Sequence, residues 1–235
     1  MKIQGAATIL RAVTNPLKIK SLVCGAWYVL LVGCGHNSQA PTPEPTAPLP
    51  TAGIAAQQVA VLPLTLIAAE DSLHWGPSLG ERKVAVAKGD SILGTLLQAR
   101  APEVTWILPD ALRRAARRAP GIAPDPDQMG SAILLHGTRH KPETVPDPLR
   151  SELRTLAALA GGGGGRYVLV PAGLVFRRPP PPLPTAPGIG VAELTIVLAD
   201  VRTGRVGFRT VARGEGADPW TALTRAVKSL TPGLP

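Results

Sequence analysis

The sequence predicts an α+β protein, a single mixed β-sheet packed with helices and preceded by a signal peptide and a proline-rich linker. Three observations carry this reading. Short β-rich apolar runs alternate with segments of helical periodicity from residue 58 onward. The last two runs are joined by a tight turn and followed by a capped helix, and no internal repeat of roughly 20–50 residues divides the chain. With 235 residues, 45% of them apolar, the chain can bury one core, and at 3% aromatic residues that core must be aliphatic. The expected division is a signal peptide at 1–33, a linker at 34–57 and a globular domain at 58–235.

Lys2, Arg11, Lys18 and Lys20 precede the apolar stretch Ser21–Gly33, which is too short to cross a hydrocarbon core of roughly 30 Å comfortably as a helix. A basic start, an apolar middle and a small residue before the cut make a secretory signal. The stretch ends in Leu31, Val32, Gly33 and Cys34, and this "LVGC" resembles the bacterial lipobox. The resemblance implies a diacylglycerol on the Cys34 thiol, cleavage before Cys34 and acylation of its new amine. Each buried methylene stabilises such an anchor by about 0.8 kcal/mol, and two chains hold where one does not. The alternatives are an uncleaved membrane anchor with an unmodified Cys34 and, less favoured, a Cys24–Cys34 disulfide. After the cysteine, Pro41, Pro43, Pro45, Pro48 and Pro50 favour extended chain and therefore a semi-rigid spacer.

Val59–Ile67, "VAVLPLTLI", reads as a strand with a bulge or an edge at Pro63. "KVAVA" reads as a short extended piece, and Asp90 as the N-cap of a helix carrying Leu93, Leu96 and Leu97 on one face. "VTWIL" is a buried strand. The next helix, about 110–119, turns Leu112, Ala115, Ala116 and Ala119 inward and Arg113, Arg114, Arg117 and Arg118 outward. "SAILLHG" is a weak strand between loops. Asp147 and Pro148 open a helix whose stripe is Leu149, Leu153, Leu156 and Ala160, stopped by Gly161. "RYVLVPAGLVFR" is a strand bent near 171–173. The segment 179–187 is a loop, and two further strands form a hairpin through Arg202–Thr203–Gly204. Asp218 and Pro219 cap a last helix with Trp220, Leu223, Val227 and Leu230 on one face, Trp220 lying near Phe208.

Candidate chemistry is sparse. Gly161–Gly165 ends a helix and enters a strand, the reverse of a phosphate loop, so a helix stop is the better reading. His136 and His140 stand four apart, but Gly137 and Thr138 disfavour a helix and no third ligand is near, so no metal and no cofactor are expected. No G-x-S-x-G elbow is present. Asp200, at the end of an apolar strand, reads as a turn residue. Without residues 1–33, which hold four cations and no acid, the net charge of +9 falls to +5. The arginines at 113, 114, 117 and 118 are its densest cluster. They are either a solvated helix face or a site for an acidic partner or an anionic surface, and nothing suggests nucleic-acid readout.

"VAVLPL", "RYVLVP" and the closing "LADVRTGRVGFRTVARGEGADPWTALTRAV" resemble a group of envelope domains. The group comprises the curli-secretion lipoprotein, the lipoprotein activator of penicillin-binding proteins and the N-terminal domain of the Tol-system propeller protein. The resemblance implies the fold of such a domain, and together with the lipobox-like sequence it points to a non-enzymatic lipoprotein, held by lipid on Cys34, whose domain docks onto another envelope protein such as a cell-wall synthase or a secretion or transport complex. Gly35, where enteric inner-membrane lipoproteins carry Asp, resembles the sorting signal for the periplasmic face of the outer membrane. A metal-dependent or hydrolytic envelope enzyme and a small-ligand carrier are the rival readings.

Overall fold

Pro63 splits the first apolar run in two. In the computed structural model, which describes residues 47–137, 143–162, 165–179 and 188–231, β1 (Gln58–Val61) and β2 (Ile67–Ala69) both run parallel to one neighbour, β4 (Tyr167–Arg177). Leu62 N–H still donates to the Leu169 carbonyl and Leu174 N–H to that of Leu66, so the ladder is broken only between them. Proline supplies no N–H there, and β4 shifts register between Pro171 and Gly173, where the sequence places its bend.

With β3 (Thr105–Ile107), β5 (Gly190–Asp200) and β6 (Arg205–Gly216), the sheet has the order β3-β1-β4-β5-β6. The β1, β3 and β4 pairings are parallel, while β4-β5 and β5-β6 are antiparallel, so the sheet is mixed and the α+β expectation holds. The β5-β6 hairpin turns through Arg202–Thr203–Gly204, and Gly204 adopts φ +73°, a conformation glycine reaches without strain.

Helices cover both faces. Val59, Val61, Leu169, Leu194 and Ile196 pack with α2 (Arg82–Arg100) and α5 (Pro219–Leu230). Ala60, Leu62, Val168, Val170 and Val197 pack with α3 (Pro109–Arg118) and α4 (Leu149–Ala160). Alternate residues of one strand enter opposite cores because side chains alternate across a sheet. One-turn α1 (Gly76–Leu79) leads into α2. Against β6, α5 approaches so closely that a Cβ on Gly214 would lie 2.2 Å from the Ala226 nitrogen.

Several expectations need correction. "KVAVA" is helical: α2 begins at Arg82, and Ala85, Gly89 and Leu93, four apart, give it one buried face. Valine's β preference is weak against such packing. Asp90 is therefore no cap but a buried residue inside α2. "SAILLHG" forms a 3-10 turn at Ser131–Leu134, because a short apolar run does not distinguish strand from helix. Asp147 gives no side-chain cap to α4; it accepts from the Ser151 hydroxyl instead. Trp220 packs towards α1 and α2, where its indole N–H donates to the Ser78 carbonyl and Lys88 Nζ lies 4.5 Å from its ring centre. Packing also starts before residue 58: Leu49 and Ile54 are buried, and Leu49 N–H donates to the Leu230 carbonyl.

Other local expectations hold. Asp218 accepts from the N–H groups of Trp220 and Thr221, capping α5. Gly162 (φ +59°) follows the end of α4, so the start of the glycine run is a helix stop. Asp200 is a turn residue, accepting from the N–H groups of Arg202 and Thr203 and from Arg166.

Candidate functional site

The broken strand positions a cluster of charged groups. With Pro63 in the gap between β1 and β2, the Leu64 N–H leaves the ladder and donates to Oδ1 of Asp90, at 2.8 Å. Asp90 points there from the buried side of α2. Its Oδ2 accepts from Nη2 of Arg113, also at 2.8 Å. The same guanidinium makes a bidentate pair with Asp127, Nε to Oδ2 at 3.0 Å and Nη2 to Oδ1 at 2.7 Å, and Nη1 reaches Asp110 at 3.0 Å. Asp127 is held in turn by the 3-10 turn Pro126–Gln128, where its N–H donates to Asp125.

One arginine thus ties α2, α3 and the 125–128 turn together. Burial is the dominant influence on Asp90 and pushes its pKa up from 3.8 to about 6, against the opposing pull of the Leu64 N–H and of Arg113. Arg113 is shifted upward chiefly by Asp127, then against burial by Asp90 and Asp110, and stays charged. The two shifts answer different causes: the Asp90 side chain is 6% exposed, whereas Arg113 is 21% exposed and shares its charge among three carboxylates.

Arg113 therefore departs from the outward-facing row expected for α3. Arg114, Arg117 and Arg118 are exposed and make no ion pair among the described residues. They form a cationic face whose orientation Arg113 fixes. Cys34 and Leu31, Val32 and Gly33 lie outside the described residues, as does His140; His136 is exposed. Among the described residues no three of His, Cys, Asp and Glu gather to hold a metal ion, and no helix is long and apolar enough to cross a membrane.

Beside the cluster lies a cavity of about 700 Å³, lined by Leu64, Thr65, Arg82, Val86, Arg113 and Asp127, with Lys83, Ala87 and Gln128 completing it. The roles of Asp90 and Asp127 were not legible from residue type, since scattered acids are ordinarily caps and turn residues. The available signal was the position of Asp90 beside Gly89 and one turn before Gly94, on the face of α2 that packs most closely.

No family model matches the chain, and no curated protein matches it. Among solved structures, the C-terminal domain of LpoB from Salmonella enterica is similar with a TM-score of 0.37 and 15% identity, over 69% of this chain and 83% of that one. The NMR structure of E. coli LpoB gives a TM-score of 0.37 and 13% identity, over 92% of this chain and 84% of that one. A PelC dodecamer from Paraburkholderia phytofirmans gives 0.34 and 14%, over 80% and 95%. At TM-scores below 0.5 these likenesses carry no argument about function.

Proposed function

We propose that the chain is a non-enzymatic envelope lipoprotein, anchored by lipid on Cys34 at the periplasmic face of the outer membrane, whose α+β domain docks onto an acidic face of another envelope protein. The anchor rests on Leu31, Val32, Gly33 and Cys34 at the end of a short apolar stretch, followed by proline-rich chain. The docking surface rests on one observation. Arg113 is consumed by three carboxylates, while its neighbours Arg114, Arg117 and Arg118 stand exposed on the same rigid helix. Three unneutralised cations on a fixed face attract a complementary anionic surface, and they set association rate and register more than raw affinity.

The test is crosslinking of the acylated full chain in native membranes, comparing wild type with Arg114→Gln/Arg117→Gln/Arg118→Gln. Glutamine keeps helix propensity nearly constant, so a change reports charge. The reading expects one protein complex, lost in the triple variant and weakened as salt rises at a screening length near 8 Å at physiological ionic strength. Complexes indistinguishable from wild type would remove α3 from the interface. Binding of the unacylated Cys34→Ser chain to phosphatidylglycerol vesicles, abolished by the same three substitutions, would instead make the face a headgroup-binding surface.

A further inference from the structure

We infer that the cavity at the start of α2 binds a small amphipathic anion, one negative charge on an apolar body. This goes beyond the docking reading and uses a different surface. At about 700 Å³ the cavity lies within the range of roughly 300–1,000 Å³ in which small-molecule sites fall. Leu64, Val86 and Ala87 supply apolar wall.

Its charges are of two kinds. Arg113 and Asp127 line the cavity but answer each other in a bidentate pair, so neither is left over for a ligand. Arg82 and Lys83 are not neutralised in this way. Arg82 donates through Nη2 to the Thr65 carbonyl, which carries no charge, and Lys83 makes no ion pair among the described residues. Both are exposed residues of the first turn of α2. Glu81 stands at the N-cap before them and makes no side-chain hydrogen bond to that turn, so the two side-chain cations, and not the helix end, supply the positive charge.

The number of charges selects the ligand. Two cations favour an anion, but Asp127 lines the same cavity, and Asp90 and Asp110 share the single Arg113 with it, which leaves an acidic surplus beside the site. A dianion would be drawn to Arg82 and Lys83 but repelled by that surplus. A monoanion with an uncharged, apolar tail meets cations with its head and Leu64, Val86 and Ala87 with its body. A neutral chain of the same length would leave the two cations unanswered.

The probe is octanoate bearing a photoactivatable diazirine, added to the full chain in phosphatidylcholine nanodiscs, with crosslinked peptides mapped by mass spectrometry. Labelling should fall on residues 64–65 and 82–87. Octanoate should compete at least tenfold better than octanol or inorganic phosphate. Arg82→Gln/Lys83→Gln should cut labelling about tenfold with an unchanged melting temperature, and Ala87→Trp, which fills the cavity from an exposed position, should abolish it. Equal competition by octanol would reduce the site to an apolar crevice, and equal competition by phosphate to a plain anion site; either overturns the inference. So does labelling elsewhere, or labelling that survives both variants.

Discussion

Oδ2 of Asp90 lies 2.8 Å from Nη2 of Arg113, and the other oxygen of the same carboxylate holds the Leu64 amide freed by the break between β1 and β2. A buried acid in one helix thus joins a strand end to a second helix. The arrangement depends on Pro63, because an unbroken strand would keep the Leu64 N–H in its ladder.

Arg113→Ala should be the most costly substitution among the four clustered arginines. It leaves Asp90 buried without a counter-charge, and breaking a buried pair in this way costs about 3 kcal/mol or more. Arg114→Ala, at an exposed position, should stay within about 0.5 kcal/mol. Arg113→Lys should fall between, since an ammonium cannot reproduce the fork held by Asp127. Urea unfolding measures all three, and equal midpoints for the 113 and 114 alanine variants would show that the bridge contributes nothing.

Stability should carry a pH dependence from Asp90. Its pKa is raised in the folded protein from 3.8 to about 6, so the native state binds an extra proton between those values. The contribution is favourable below about pH 4, is lost as pH rises to about 6 and is flat beyond; a shift of this size corresponds to roughly 2–3 kcal/mol. Asp200 and Asp218 act in the opposite sense. Burial works against ionisation of Asp200, but Arg166 and two backbone N–H groups prevail, while Thr221 is the main influence on Asp218; both pKa values are lowered, so their contribution is lost only as pH falls below the usual carboxylate range. Unfolding free energy at pH 5 minus that at pH 7.5 should be larger for wild type than for Asp90→Asn. Parallel profiles would show that Asp90 does not titrate in this window.

The parts of the fold that were legible in the sequence are those in which local chemistry and packing agree. Asp218 followed by Pro219 is a cap at every level, and the D-x-x-T-G turn needs its glycine at Gly204. The N-terminal half of α2 was illegible because Val84 and Val86 favour strand locally, and its buried face there is built from Ala85 and Gly89, small residues that carry little apolar signal although they pack closely. The charged cluster was illegible for another reason. Asp90, Arg113 and Asp127 are separated by 23 and 14 residues, and no periodicity links a helix interior to a 3-10 turn.

Gly214→Ala should destabilise the domain out of proportion to one methyl group. Its Cβ would meet the Ala226 nitrogen at 2.2 Å and the Ala222 carbonyl at 2.5 Å, both backbone atoms, so α5 must move away from β6. Overpacking of this kind costs about 1–3 kcal/mol. Gly53→Ala, which meets nothing within 4 Å, is the control. Thermal melting should separate them clearly, and equal melting temperatures would mean that α5 shifts without loss.

Trp220→Ala should cost about 2 kcal/mol, less than the 3–5 kcal/mol of a fully buried aromatic, because Trp220 is only half-buried. Its indole N–H bond to Ser78 and its contact with Lys88 lie at the rim. Trp220→Phe should keep most of the packing and lose the hydrogen bond. A melting temperature for Trp220→Ala equal to wild type would show that the rim contact is dispensable.

Where the packed domain begins decides how far an anchored protein reaches. Leu49 and Ile54 are 5% and 2% exposed, Ala47 N–H donates to Oγ1 of Thr210, and Ala56 N–H to the Glu103 carbonyl. Burying an aliphatic side chain of this size contributes roughly 1.5–3 kcal/mol, so a fragment starting at residue 58 should be less stable than one starting at residue 47 by about 4 kcal/mol. If Cys34 carries the lipid and the spacer takes the extended form that its prolines favour, a spacer of residues 35–46 would reach about 37 Å at about 3.1 Å per residue, against about 71 Å for one running to residue 57. Urea unfolding of the two fragments measures the difference. Identical midpoints would return residues 47–57 to the spacer, whereas the expected loss makes residues 47–57 part of the packed domain.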